Sequence, residues 1–170
     1  MIRAMAQITL RGNPVTTVGD LPAVGSPAPA FTLTGTALND VTAGDFAGKT
    51  LILNIFPSVD TGTCAASVRA FNEKAGGRDD AAVLNVSADL PFAQARFCGA
   101  EGIENVDSAS TFRSDFGDAY GVRISDGPMA GLMSRAVVVI DGDGNVAYSE
   151  QVLEIAQEPD YDAALNAIGS

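Results

Sequence analysis

Histidine and tryptophan are absent from this chain of 170 residues, and cysteine occurs only twice. Without imidazole there is no Ser-His-Asp triad and no Cys-His pair. A catalytic zinc held by histidines is excluded, and two cysteines alone do not complete a structural zinc site. Basic residues are few: ten Lys and Arg stand against twenty-one Asp and Glu, for a formal net charge of −11. Binding to nucleic acid starts from a basic face, so the sequence argues against such a partner. The acidic residues are scattered, which describes a soluble, self-repelling surface better than a docking tail.

Long apolar runs are also missing. None approaches the ~18 residues of a membrane span, so no membrane association is expected. The opening "MIRAMAQITL" has no apolar core and no cleavage pattern of a secretory signal. These absences point to a cytoplasmic protein, where thiols stay reduced and a disulfide is more often catalytic than structural. Met5 is an alternative start, and residues 1–5 read as a disordered N-terminal extension.

Two cofactor motifs fail on inspection, and none is expected to be bound. "AGDFAGKT" has Ala43 where a phosphate-binding loop needs glycine, and it precedes a strand instead of following one. "DGDGN" (141–145) opens like a calcium loop, but the twelfth position is Val152 in place of a bidentate Glu.

What is present is a pattern of strands and helices in a chain of single-domain length. Residues 6–18 alternate weakly around Gly12-Asn13-Pro14 and suggest a small hairpin. "LPAVGSPAPAF" is an extended linker, and "FTLTG" and "LNDVTA" are short strands or edge pieces. The apolar runs 49–56, 81–88 and 135–141 suit strands buried on both faces. Val68, Phe71 and Ala75 are spaced for a helix over 65–75. Residues 91–102 form a second helix, opened by Pro91 and ended by Gly99 or Gly102. "STFRSDFGDAYG" suggests a third helix, "AVVVIDGDGNVAYSE" a hairpin, and "EPDYDAALNAIG" a C-terminal helix. The order is α/β, with a helix-joined parallel pair and a closing antiparallel hairpin. A thioredoxin-like sheet, mixed and flanked by helices, has this order, and one domain spans 1–170.

Cys64 stands in "PSVDTGTCAAS", between the first apolar run and the first helix. A free cysteine is ordinarily a small buried hydrophobe. Here it follows a polar loop and falls in the first helical turn, where unpaired N–H groups and the dipole favour a thiolate. Pro57 fixes the strand exit, and Thr61 offers a hydroxyl three residues before the sulfur. The chemistry that suits this arrangement is attack on a peroxide O–O bond. The leaving oxygen then needs donors: the Thr61 hydroxyl, backbone N–H groups and a guanidinium. A preformed thiolate needs no general base, so the missing histidine is no obstacle.

Pro57-(x)3-Thr61-(x)2-Cys64 resembles the P-x-x-x-T-x-x-C loop of the peroxiredoxins. "VGSPAPAFTL", "NIFPSVDTGTCAASVR", "SADLPFAQARFCGAEG", "YGVRISDGPMAGLMSRAVVVID" and "EPDYDAAL" are similar to the thiol peroxidase branch, the atypical two-cysteine peroxiredoxins. The likeness runs from about Ala6 to the C-terminus. It implies that Cys64 is the peroxidatic cysteine, that Thr61 orients the peroxide, and that Pro57 shields the pocket. Arg135 would hold the thiolate and polarise the substrate. Taken singly, Thr61 also reads as a loop cap, Arg135 as a surface charge and Pro57 as a turn former.

The resemblance further implies that Cys98 is the resolving cysteine, which attacks the Cys64 sulfenic acid and closes an internal disulfide. Its ordinary reading is a buried helix thiol beside Phe97. Gly62, Gly99 and Gly102 flank the two sites and permit local unwinding. Thioredoxin as reductant, hydroperoxides as substrates and a homodimer are implied in the same way. Phe56 and Met129 are candidates for an apolar pocket wall. Two departures stand out: Thr63 where many relatives carry Val, and Asn85 where some carry a third cysteine. Two other classes remain open at this point: a redox-switched binding protein, and an inert thioredoxin-like module with a stabilising disulfide.

Overall fold

In the computed structural model, which describes residues 7–75, 78–103 and 106–168, the chain opens with the expected hairpin. The extension expected over residues 1–5 lies outside the described residues. β1 (Gln7–Leu10) pairs antiparallel with β2 (Asn13–Thr16). The two turn residues, Arg11 and Gly12, have φ of 51° and 82°. Positive φ at both is what a tight turn matching strand twist requires, and it strains the non-glycine residue.

Glu154 compensates from the far end of the chain. Its carboxylate accepts the N–H groups of Arg11 (3.1 Å) and Gly12 (2.9 Å) and the Thr9 hydroxyl (3.0 Å). Thr9 N–H donates to the Leu153 carbonyl at 2.7 Å, and Ile155 N–H to the Thr9 carbonyl at 2.9 Å. The hairpin is thus fastened to residues 153–155. The N–H groups of Ala156, Gly12 and Arg11 pull the Glu154 carboxyl down to about 2.

The remaining elements are β3 (Thr32–Gly35), β4 (Asp40–Thr42), a 3-10 turn (Ala43–Phe46), β5 (Thr50–Ile55), α1 (Gly62–Lys74), β6 (Ala81–Ser87) and α2 (Pro91–Glu101). β7 (Asp107–Ser110), α3 (Phe116–Ala119), β8 (Ala136–Ile140), β9 (Val146–Gln151) and α4 (Tyr161–Asn166) follow. Seven strands make one mixed sheet in the order β4-β3-β7-β6-β5-β8-β9. β6 runs parallel to both β5 and β7, and β8 is antiparallel to β5.

The three apolar runs are β5, β6 and β8, adjacent strands inside the sheet, which side-chain alternation divides between two cores. Leu51, Leu53, Ile55, Leu84, Val86 and Val138 meet Phe31, Phe116 and Tyr120 on one face. Ile52, Val83, Val137 and Val139 meet Phe71 of α1 and Ala164 of α4 on the other. Both faces are covered, so polar residues have no place in the alternation except where they bond one another. Among the described residues no helix is long and apolar enough to cross a membrane.

Four elements differ from expectation. α1 begins at Gly62, before the apolar spacing starts, because Thr61 caps it. The third helix shrinks to Phe116–Ala119, and Ser110 belongs instead to β7. β7 reads "DSAS" and has no β-branched or aromatic residue to announce it. It is a strand because β6 and β3 pair with it on either side, and its small residues fit a buried slot. The C-terminal helix, expected over 158–169, is confined to Tyr161–Asn166, after the Asp160 cap, with Pro159 before it; Gly169 lies outside the described residues.

Two glycines allow a clean test of backbone against packing. Gly121 (φ 71°) and Gly131 (φ 93°) are both left-handed, but a Cβ at Gly121 would overlap the Asp20 backbone, whereas Gly131 has nothing within 4 Å. Gly131→Ala should cost about 1–2 kcal/mol from strain alone. Gly121→Ala should cost about 2–5 kcal/mol, since overpacking adds to the strain. Urea unfolding of the two variants measures the difference. The Glu154 clamp is tested by pH. A depressed carboxyl stabilises fully above its ordinary value of 4.5 and loses its contribution as pH falls through about 2. Amide exchange at Arg11 and Gly12 should stay slow at pH 5 and lose protection toward pH 2, and Glu154→Gln should remove that pH dependence.

Candidate active site

The sheet delivers Cys64 to the start of α1. Past β5, Phe56 N–H still donates to the Val86 carbonyl at 3.1 Å. Pro57 follows, buried and without an N–H, so the ladder ends there. The chain turns on Ser58, whose carbonyl accepts the Thr61 N–H and hydroxyl, each at 3.3 Å. Thr61 is extended (φ −97°, ψ 145°), and its hydroxyl oxygen accepts the Cys64 N–H at 3.2 Å. Cys64 is therefore the third residue of α1, fixed by the cap. The cap reading of Thr61 is thus met in the structure.

The Cys64 sulfur is fully buried among Phe56, Val59, Val68 and Ile103. Set against this apolar wall is one cation. Arg135 Nη2 donates to Cys64 Sγ at 3.2 Å. The strand register accounts for its position: Ile55 pairs with Ala136, so Arg135 falls opposite the exit of β5. Arg135 is no surface charge, being only 2% exposed. Its Nε donates to the Ile155 carbonyl at 2.6 Å. Its Nη1 is buried with no hydrogen-bond partner, and none of the salt bridges among the described residues includes it. A buried cation and an unused donor are both costly unless a negative charge or a ligand meets them. The arrangement is suited to stabilising charge on the sulfur and on an oxygen bound beside it.

The seat of Arg135 escaped the sequence reasoning. Glu154 clamps the N-terminal hairpin, the Ile155 carbonyl fixes the guanidinium, and the Ala156 carbonyl accepts the Thr63 hydroxyl at 3.0 Å. Two of these three contributions come from backbone atoms, which leave no residue-type signal. Glu154 is one of many scattered acids.

Cys98 lies in the last turn of α2, half-buried, with its sulfur 3.6 Å from the Ser108 hydroxyl of β7. With Phe97 it packs against the apolar cluster around Cys64. It also lines a cleft of about 490 Å³ shared with Asn39, Asp45, Phe46 and Asp107. Both cysteines are free thiols. Gly102, at φ 66°, ends the helix beyond it, whereas Gly99 stays helical. Phe56 belongs to the Cys64 cluster, but Met129 packs instead against Ile8, Val15, Ile124 and Ile155, so the two do not form one wall. Asn85 is buried and accepts from Asn54 Nδ2 at 3.0 Å.

Residues 23–165 match the Redoxin family. The thiol peroxidase of Mycobacterium tuberculosis is 67% identical over 166 residues, covering 98% of this chain and 100% of that protein. The thiol peroxidase of Corynebacterium glutamicum is 52% identical over 164 residues, covering 96% and 99%. A peroxiredoxin-like protein from Aquifex aeolicus superposes with a TM-score of 0.90 at 41% identity, with 95% of each chain covered. The fold is thioredoxin-like, with the mixed sheet and N-terminal hairpin expected from the sequence. With its buried thiol and guanidinium at the end of such a sheet, the chain belongs to the Redoxin family, in the thiol peroxidase branch of the peroxiredoxins.

Proposed function

We propose that Cys64 is the peroxidatic cysteine and Cys98 the resolving cysteine of this thiol-dependent peroxidase. The Cys64 thiolate attacks one oxygen of a hydroperoxide. The O–O bond breaks, the sulfur becomes a sulfenic acid, and the other oxygen leaves as alkoxide or hydroxide and is protonated. The single observation carrying this reading is Arg135, a buried guanidinium 3.2 Å from the sulfur with Nη1 unbonded. That free nitrogen is a ready donor for the peroxide oxygen on which charge develops. Thr61 joins it when its hydroxyl turns from the Ser58 carbonyl to the peroxide, and buried Pro57 keeps water from the sulfur. A switch that only made and broke a disulfide would need no unpaired donor beside the thiol.

In the second step the Cys98 thiol attacks the sulfenic sulfur, the S–S bond forms, and water leaves. Thioredoxin then reduces the pair by thiol–disulfide exchange. The partial exposure of Cys98 supports access from its side. Phe56, Val59 and Val68 around Cys64 give an apolar surround, which favours alkyl hydroperoxides alongside hydrogen peroxide. The chain works as one domain, in the cytoplasm, as a homodimer, in defence against oxidants. The dimer rests on the family likeness alone.

Arg135→Met should slow peroxide reduction by about 10²–10³, the usual cost of losing one charge-stabilising donor. Thr61→Val should slow it as well, while losing the cap lowers stability by only about 1 kcal/mol. Stopped-flow rates set beside urea unfolding separate the two effects, and near wild-type rates in both folded variants would refute the assignment. For the cysteines, equimolar peroxide should lower the intact mass of the reduced protein by about two daltons as one internal disulfide forms. Cys98→Ser should instead gain about one oxygen and proceed to sulfinic acid in excess peroxide. In Cys64→Ser, Cys98 should remain a thiol; rapid oxidation there would break the proposed order.

A further inference from the structure

The two sulfurs are unbonded, and each has a partner of its own. Cys64 Sγ is fully buried against Arg135, and Cys98 Sγ is held beside Ser108. For the bond to form, the Cys64 sulfur must leave the guanidinium, so the loop before α1 and its first turn have to give way. What holds that loop governs how soon resolution follows peroxide attack.

Two exposed ion pairs tie the cysteine-bearing segments together. Arg96 approaches Asp60 at 3.9 Å, and Arg69 approaches Glu101 at 3.1 Å. Exposed pairs of this kind hold little. A stronger tie lies beneath them. Asp89, half-buried between β6 and α2, accepts the Ser58 hydroxyl on Oδ1 at 2.7 Å. Its Oδ2 accepts the Val59 N–H at 2.8 Å and the Ser87 hydroxyl at 2.7 Å. These are short, charge-assisted bonds. Ser58, so fixed, accepts the Asp60 N–H on its hydroxyl at 3.1 Å, and its carbonyl carries Thr61, the cap of α1. On the other side, Ser87 accepts Gln94 Nε2 at 3.1 Å, and Gln94 is buried on α2 one turn before Cys98. One carboxylate therefore binds the Cys64 loop directly and the Cys98 helix through Ser87 and Gln94.

We propose that Asp89 is a positioning residue that times the two sulfur steps, holding the Cys64 loop in its peroxide-reacting form and delaying the Cys64–Cys98 bond. This rests on the roles proposed above for the two cysteines. The delay has a chemical consequence. While the sulfenate waits, a second hydroperoxide competes with Cys98: it gives one oxygen to the sulfur, which becomes a sulfinate, and departs as alcohol or water. Asp89 thus sets the division between disulfide and sulfinic acid. Asn at this position has the same shape but one acceptor oxygen, and its NH2 faces hydrogen-bond donors.

The test is a peroxide titration of the reduced full-length protein, with intact mass separating disulfide from sulfinic acid. In Asp89→Asn the peroxide concentration giving equal amounts of each should rise about tenfold, the scale of one hydrogen bond to a charged group. The stopped-flow peroxide step should slow at the same time. Ser58→Ala, which removes one of the three bonds, should shift the division in the same direction by less, and it decides the matter if Asp89→Asn fails to fold. Gly131→Ala, destabilised at a residue that takes no part in these hydrogen bonds, should leave the division unchanged. An unchanged or lower crossing concentration in folded Asp89→Asn and Ser58→Ala overturns the proposal, as does an equal shift in Gly131→Ala. If the wild type forms no internal disulfide at all, the cysteine roles themselves fail, and the proposal falls with them.

Discussion

The structure around the thiol depends on where one guanidinium is kept. Among the described residues Arg135 is buried without a carboxylate partner, held by a carbonyl at Nε and directed at sulfur through Nη2. Had an acidic residue been paired with it, the cation would be neutralised and its donors occupied. A backbone carbonyl fixes the side chain while leaving its charge uncompensated. That choice transfers the burden to residues 153–156, which must be rigid for the carbonyl to stay in place. The Glu154 clamp and the parallel bonds of Thr9 supply that rigidity, so the small N-terminal sheet acts as a brace for the site.

Beneath the helix start, polar residues do a second kind of positioning. Asn54 Nδ2 donates to Ser67 Oγ at 3.2 Å and to Asn85 Oδ1 at 3.0 Å, and Ser67 donates to the Cys64 carbonyl at 2.8 Å. These groups lie on the sheet face that α1 covers. Apolar side chains alone would let α1 slide or rotate over the strands at little cost, since hydrophobic contact has no direction. Hydrogen bonds fix the rotation of the helix and so the direction of the sulfur. The arrangement leaves Asn54 Oδ1 and Asn85 Nδ2 unmatched, a cost in stability accepted for orientation.

Legibility in the sequence followed the type of signal each element carries. The apolar runs at 49–56, 81–88 and 135–141 mark strands buried on both faces, and burial on both faces is what makes such runs conspicuous. Cys64, Thr61 and Pro57 were legible because strand exit, cap and helix start each demand particular residue types. Arg135 is legible only through likeness to relatives; its burial follows from the pairing of Ile55 with Ala136, strands far apart in the chain, which no local pattern displays. β7 was missed because its strand character belongs to its neighbours. The loop at 153–156 was missed because its carbonyls, and not its side chains, touch the site.

The antiparallel pairing of β8 against β5 also bears on how the protein comes into being. Cys64 and Arg135 are 71 residues apart in the chain. At the pace of protein synthesis, about 5–20 residues per second, Cys64 precedes its guanidinium partner by roughly 4–14 s. Through that interval the thiol has no guanidinium beside it, and the carbonyl that seats the arginine comes later still. A nascent or prematurely ended chain therefore lacks the contact that the complete fold gives this thiol.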